Sequence, residues 1–295
     1  MITVLEALRF GEAEIKSSFA EKITKQHNAK LDAQILLAFC LKKPTAYLFS
    51  HVDDHVPESA LSIYRGYLKR RRSHEPVAYI LGEKAFFGHH LFVTPNVLIP
   101  RPETEQLVEI AIAGATEDTT YLDVGTGSGA IAVTLARETG RPVIATDTST
   151  KAIDVAKNNA DRLHVNGKIS FLHGHLLEPY LEKNIHSTNG RMIITANLPY
   201  VPTGNWQALD PDVKMFEPKL ALVGGLDGLD LYDILLMQLQ THRANFPKDL
   251  ILLMEIEPSQ EHSLPRLVQE HFPATDVEVI HDLASKPRIV TASIL

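Results

Sequence analysis

Asp123-Val124-Gly125-Thr126-Gly127-Ser128-Gly129 lies between an apolar run, Tyr121-Leu122-Asp123-Val124, and a helix-like stretch from Ala130 to Glu138. Glycine at every second position lets the backbone turn sharply and approach a ligand closely. From Thr120 onward, strand and helix patterns alternate. Val143-Ile144-Ala145 reads as a strand and Lys151 to His164 as a helix; Ile169-Ser170-Phe171-Leu172 and Met192-Ile193-Ile194-Thr195 read as further strands. Leu250-Ile251-Leu252-Leu253-Met254-Glu255 follows, then a pair near Val277–Ile280 and Arg288–Ala292. Such alternation predicts a doubly wound α/β fold, with a parallel sheet covered by helices on both faces. The short link within the last pair predicts one antiparallel strand.

Upstream, residues 1 to about 80 read as a small helical bundle. Leu5, Leu8 and Phe10 begin one periodic stretch. Leu31 to Leu41 is a second, closed by Lys43-Pro44, because proline cannot continue a helix. Pro57 opens a third, through Leu61, Tyr64 and Leu68 at spacings of three and four. Phe86-Phe87-Gly88-His89-His90-Leu91-Phe92-Val93, aromatic and β-branched around a glycine, predicts a hairpin between the helical part and the sheet.

Composition sets the class. The 295 residues are 44% hydrophobic and 22% charged, with a net charge of −7. That length holds one large domain and a smaller one. No apolar run reaches the ~18 residues that span a bilayer, and the first residues lack the pattern of a signal peptide, so a cytoplasmic protein is expected. The negative balance argues against a nucleic-acid backbone as main partner. The one dense basic cluster, Lys69-Arg70-Arg71-Arg72, reads as a solvated helix face, with a local contact to an acidic or RNA-bound partner as the alternative. The single cysteine, Cys40, lies in an apolar run and reads as a buried thiol.

Asp147 ends the strand after the glycine turn, 22 residues beyond Gly125. A carboxylate there can accept hydrogen bonds from both hydroxyls of a ribose. Together, Gly125, Thr126, Gly127, Ser128, Gly129 and Asp147 indicate an adenosine-containing ligand without choosing which one. The plainer alternatives are a tight structural turn and a helix N-cap.

Ala196-Asn197-Leu198-Pro199-Tyr200-Val201-Pro202 follows the fourth strand. In a doubly wound sheet this loop faces the same crevice as the glycine turn. An amide nitrogen is a poor nucleophile, since its lone pair is delocalised into the carbonyl. Two acceptors that take its two N–H hydrogens aim that lone pair: the Asn197 side-chain oxygen and the Leu198 carbonyl. Tyr200 can pack on the flat amide. A sulfonium methyl is already activated, so alignment suffices and no strong general base is needed. The alternative is a proline-stiffened loop in which Asn197 caps its own turn.

With these residues in place, the chain resembles the peptide-chain release factor glutamine N5-methyltransferases (the PrmC or HemK family) over nearly its whole length. The resemblance rests on Leu31-Asp32-Ala33-Gln34-Ile35-Leu36-Leu37-Ala38, on Glu75-Pro76-Val77-Ala78-Tyr79-Ile80-Leu81-Gly82, and on Val93-Thr94-Pro95-Asn96-Val97-Leu98-Ile99-Pro100-Arg101-Pro102-Glu103-Thr104-Glu105. It continues through Gly125–Gly129, Asn197–Tyr200 and Glu217-Pro218 before Ala221-Leu222. It implies a seven-stranded class I methyltransferase sheet at residues 101–295, a hairpin linker at 83–100 and a helical substrate-binding domain at 1–82. It also implies S-adenosyl-L-methionine as cofactor. The methyl would pass to N5 of the glutamine in the Gly-Gly-Gln motif of class I release factors. Gly125 to Gly129, Asp147 and Asn197 would bind the donor; Asn197, Leu198, Pro199 and Tyr200 would hold the glutamine, with Asn197 and Tyr200 catalytic. A monomer without membrane or nucleic-acid contacts is expected.

Two positions depart from the family pattern. Leu198 replaces the first proline of Asn-Pro-Pro-Tyr; the acceptor there is a backbone carbonyl, which leucine keeps, and the loop gains an N–H. His175 and Leu176, in His173-Gly174-His175-Leu176, stand where the family has aspartate and a bulky residue near the adenine. A His-x-His pair without a carboxylate or cysteine cluster does not indicate a metal.

Three other functions fit parts of the pattern: a nucleic-acid amino-methyltransferase, a glutamine methyltransferase acting on a ribosomal protein, and a non-catalytic module that kept the fold. A DNA enzyme needs a target-reading module, and residues 203–295 are expected to be used in completing the sheet.

Overall fold

A computed structural model describes residues 2–18, 28–183 and 190–294. The chain forms two compact units: Met1–Glu83 with Leu209–Phe216, and Lys84–Ala208 with Glu217–Leu295.

The first unit is helical: α1 (Val4–Lys16), α2 (Ala29–Leu41), α3 (Thr45–Ser50), α4 (Glu58–Arg72) and α5 (Val77–Leu81). The capping box of Thr3 and Glu6 starts α1, and Asn28 caps α2. Val4, Ala7 and Ile15, Leu36 and Leu37, and Leu61, Tyr64 and Leu68 form its core. The helices α2 and α4 follow the apolar spacing, whereas α1 buries Val4, Ala7 and Ile15 and leaves Leu5 and Leu8 half-buried and Phe10 exposed; α3 and α5, of six and five residues, are too short to show a period.

Three residues of the basic cluster, Lys69, Arg70 and Arg72, form the exposed helix face expected of it, and Arg71 departs from it. Arg71 is 2% exposed and bridges Asp32 and Asp212, each at 2.8 Å. Arg70 pairs with Glu75 and Arg72 with Glu14. A buried guanidinium needs such partners. They also explain a second departure: residues 209–216, expected to serve the sheet, group with the helical unit.

The larger unit begins at Lys84, within the hairpin β1 (Glu83–Phe86) and β2 (His89–Phe92), turned at Phe87-Gly88 with φ of 50° and 75°. Then come α6 (Thr104–Ala113), β3 (Thr120–Val124), α7 (Ala130–Thr139), β4 (Val143–Asp147), α8 (Thr150–Arg162), β5 (Ile169–His173), α9 (Glu178–Glu182) and β6 (Arg191–Ala196). After α10 (Pro211–Phe216), which belongs to the helical unit, follow α11 (Asp230–Thr241), β7 (Asp249–Glu255), α12 (Ser263–His271), β8 (Asp276–His281) and β9 (Pro287–Ile294).

The seven strands run in the order β5-β4-β3-β6-β7-β9-β8. All pair in parallel except β9, antiparallel to β7 and β8. The strands β3, β4 and β6 are apolar and buried almost throughout because helices cover both faces. The order reverses at β3, which opens a crevice at the carboxyl ends. Val124 pairs with Thr146 and Ala196, and Ala196 pairs with Met254. The next residue of each strand, Asp147, Gly125, Asn197 and Glu255, therefore stands in one transverse row roughly 14 Å long.

Asn159 of α8 braces the hairpin against the glycine turn. Fully buried, it accepts from the Phe92 N–H at 2.6 Å and donates to the carbonyls of Phe92 and Ser128, both at 2.9 Å. Asn159→Leu takes the partner from the buried Ser128 carbonyl and from the part-buried N–H and carbonyl of Phe92. An expected loss of about 3 kcal/mol would show as a lower urea midpoint of the intact chain.

Candidate functional site

The crevice holds a cavity of about 290 Å³, near the lower end of small-molecule sites. Its wall combines Gly125–Ser128, Asp147, Asn197–Pro199, His175 and Leu176 with apolar groups such as Val97 and Ile131. Thus the glycine turn, the acidic strand end and the Asn-Leu-Pro sequence, far apart in the chain, meet at one cavity. The two positions that depart from the family pattern, His175 and Leu176, line it too.

The turn is built for close approach. Gly129 enters α7 at φ +79°, and a Cβ there would sit 2.9 Å from the Ala156 Cβ. Gly125 has φ +75°, and its Cβ would meet the Leu198 side chain at 2.9 Å. Leucine and glycine turn therefore fit against each other across the crevice.

Asp147 is not the N-cap of α8. Ser149 is, its hydroxyl accepting from the Ala152 N–H at 3.2 Å. Asp147 instead accepts from Ser149 N–H and Gly127 N–H, both at 2.8 Å. Burial raises its pKa above the usual carboxylate value, against those two bonds. Each oxygen keeps a further lone pair for a ribose hydroxyl. Among the described residues lining the cavity, Asp147 is the one carboxylate, and Arg101 is tied to Glu217. Apolar walls, one acceptor carboxylate and a neutralised cation fit an adenosyl sulfonium such as S-adenosylmethionine.

Asn197 is oriented rather than loose. Its Nδ2 donates to Glu255 Oε2 at 2.9 Å and to Thr104 Oγ1 at 3.1 Å. Among the described residues, neither Asn197 Oδ1 nor the Leu198 carbonyl takes a hydrogen bond from the protein. Both residues line the cavity, so two acceptors without a protein donor belong to adjacent residues of its wall. Tyr200 donates from its hydroxyl to Glu255 Oε1 at 3.4 Å, and burial pushes its phenol upward.

The N–H that Leu198 adds is also accounted for. It donates to the Tyr232 hydroxyl at 3.4 Å, and that hydroxyl reaches the carbonyls of Glu255 and Ala196. Sequence reading missed Glu255 and Tyr232. Glu255 had a usable signal: a charged residue closing an apolar strand at the carboxyl edge, where ligands bind. Tyr232 had none, since an aromatic residue on an apolar helix face reads as core. Among the described residues, no group of three or more His, Cys, Asp or Glu is placed to hold a metal.

Residues 12–82 match the family model described as PrmC N-terminal domain, and residues 115–196 that of a methyltransferase domain. The release factor glutamine methyltransferase of Bacillus cereus is 35% identical over 296 residues, 98% of each chain. That of Bacillus subtilis is 33% identical, covering 100% of this chain and 99% of the relative. The hMettl16 catalytic domain in complex with MAT2A 3′UTR hairpin 6 shares the fold at a TM-score of 0.54 and 13% identity, covering 80% of this chain and 81% of that one.

Asp147→Ala is expected to weaken S-adenosylmethionine binding by at least about tenfold, two ribose hydrogen bonds being lost; calorimetry giving unchanged affinity would place the ribose elsewhere. Tyr232→Phe strands the Leu198 N–H. In a Leu198→Pro background that N–H is gone, so the same change should cost about 1 kcal/mol less in stability. A strictly additive denaturation cycle would remove the pairing.

Proposed function

We propose, for a chain that belongs to the family of release factor glutamine methyltransferases, that it methylates N5 of the glutamine in the Gly-Gly-Gln motif of class I release factors. The chain is an S-adenosylmethionine-dependent methyltransferase. The observation that carries the amide assignment is the pair of vacant acceptors, Asn197 Oδ1 and the Leu198 carbonyl, beside the glycine turn. They take the two hydrogens of the glutamine amide and turn its lone pair toward the donor methyl. Tyr200 limits rotation of the flat amide. The donor supplies an activated methyl, and the residues supply alignment: Gly125–Gly129 admit its amino-acid end, Asp147 positions its ribose, and Asn197, between donor and glutamine, aligns the reacting end while contributing little to donor affinity.

The helical unit, residues 1–82, recognises the release factor in this reading, with the hairpin at 83–100 as the connection to the catalytic domain at 101–295. No described helix is long and apolar enough to cross a membrane, and the net charge of −7 disfavours a nucleic-acid backbone. A monomer acting in the cytoplasm on a protein is part of the same proposal.

The test is transfer of labelled methyl to a purified release factor and to its Gln→Ala variant, with ribosomal proteins and duplex DNA alongside. Label is expected on the wild-type factor alone; label on DNA or a ribosomal protein overturns the substrate. Asn197→Ala is expected to abolish transfer and leave donor binding largely intact, and wild-type turnover in that variant would sink the amide clamp.

A further inference from the structure

Glu255 touches both polar side chains of the Asn-Leu-Pro-Tyr sequence. Its Oε2 accepts from Asn197 Nδ2 at 2.9 Å and its Oε1 from the Tyr200 hydroxyl at 3.4 Å. It is 3% exposed and does not line the cavity. A carboxyl group this deeply buried is costly, and apolar side chains fill the rest of the core around it.

The chemistry of Asn197 gives the cost a purpose. Its NH₂ has two hydrogens, and Glu255 and Thr104 take both. An ionised carboxylate can only accept, so it holds the NH₂ side of the asparagine and leaves Oδ1 toward the cavity. A protonated carboxyl can donate, and its O–H suits Oδ1. The side chain can then turn over, and its NH₂ would face the NH₂ of the incoming amide, donor against donor.

We propose that Glu255 is the positioning residue that locks Asn197 with its oxygen toward the substrate, so that the site accepts a carboxamide nitrogen and rejects a carboxylate. The proposal deepens the glutamine reading and rests on it for the substrate, but the orientation of Asn197 can be read without any substrate.

The surroundings tune the same group. Burial pushes Glu255 up to about 7, the Thr104 hydroxyl opposes, Glu103 raises it further, and Arg288 and Tyr200 lower it. These come from α6, from β9 and from the loop after β6; Tyr232 faces it from α11, and Arg101 acts on Tyr200. The sign follows. The ionised form dominates above about pH 7, so kcat should fall as pH drops through that value. Because the folded state holds this proton more tightly than the unfolded chain does, Glu255 favours folding least above pH 7.

The test uses the full chain, wild type and Glu255→Gln. In nitrogen-15 NMR without substrate, the side-chain NH₂ signals of Asn197, assigned by their loss in Asn197→Ala, should move with an ionisation near pH 7 and lose that movement in Glu255→Gln. In the transfer assay, Glu255→Gln should lower kcat about tenfold and erase the acid limb. Its donor affinity should be unchanged, and its melting temperature above pH 7 should be no lower than wild type. A residue with a merely structural role would lower the melting temperature and leave the pH profile in place. Asn197 signals indifferent to pH and to the substitution overturn the proposal, as does an acid limb that survives in Glu255→Gln. Signals that behave as expected while the label goes to another acceptor would remove the substrate reading and leave the role of Glu255 standing.

Discussion

Parallel register is the constraint on which the rest of the molecule depends. With Val124 level with Thr146 on one side and Ala196 on the other, the strand ends are flush. Gly125, Asp147, Asn197 and, through β7, Glu255 then fall in one row. Nothing local to any of these residues produces that alignment. It comes from burial of apolar strands on both faces, which makes a one-residue slip send every inward side chain to the wrong face. A slip would also part the glycine turn from Asn197 and Leu198.

Once the row exists, polar groups at its edge must be satisfied without water. Three carboxylates are drawn into this region. Asp123 is fully buried in β3, accepts from the Thr195 hydroxyl at 2.8 Å and is pushed up to about 6. Asp147 spends its bonds on the glycine turn and Ser149. Glu255 spends its bonds on Asn197 and Tyr200. An apolar residue at any of these places would suit the core better in free-energy terms. Their presence at the carboxyl edge is the usual sign of stability given up for organisation of a site.

The replacement of proline by leucine at position 198 shows how such a site absorbs change. The backbone carbonyl at this position is kept whichever residue stands there. The new N–H meets the Tyr232 hydroxyl, and the side chain is buried against Gly125. Farther along, the chain leaves the larger unit after Ala208 and rejoins it at Glu217. There Glu217, 5% exposed, accepts from Ile99 N–H at 3.0 Å and pairs with Arg101. The two runs noted in the sequence, Ile99 to Thr104 and Glu217-Pro218, thus fasten one another beside the cavity.

The sequence by itself determined the class of fold, because buried parallel strands must be apolar runs and covering helices must alternate with them. It also marked the glycine turn and the Asn-Leu-Pro-Tyr loop as candidate site segments, since Gly125 to Gly129 and Asn197 to Tyr200 are contiguous and their chemistry is carried by residue type. Only the tertiary structure decided the partners. Arg71 looked solvated because three basic neighbours surround it, and its buried carboxylates lie 39 and 141 positions away. Glu255 looked like a strand end until register set it 2.9 Å from Asn197. Tyr232 looked like core until its hydroxyl met Leu198. Periodicity reports which face of an element is apolar; it carries no information on which polar atoms a distant strand will bring within hydrogen-bond reach. That is settled by sheet order and register, which come from packing the whole core at once.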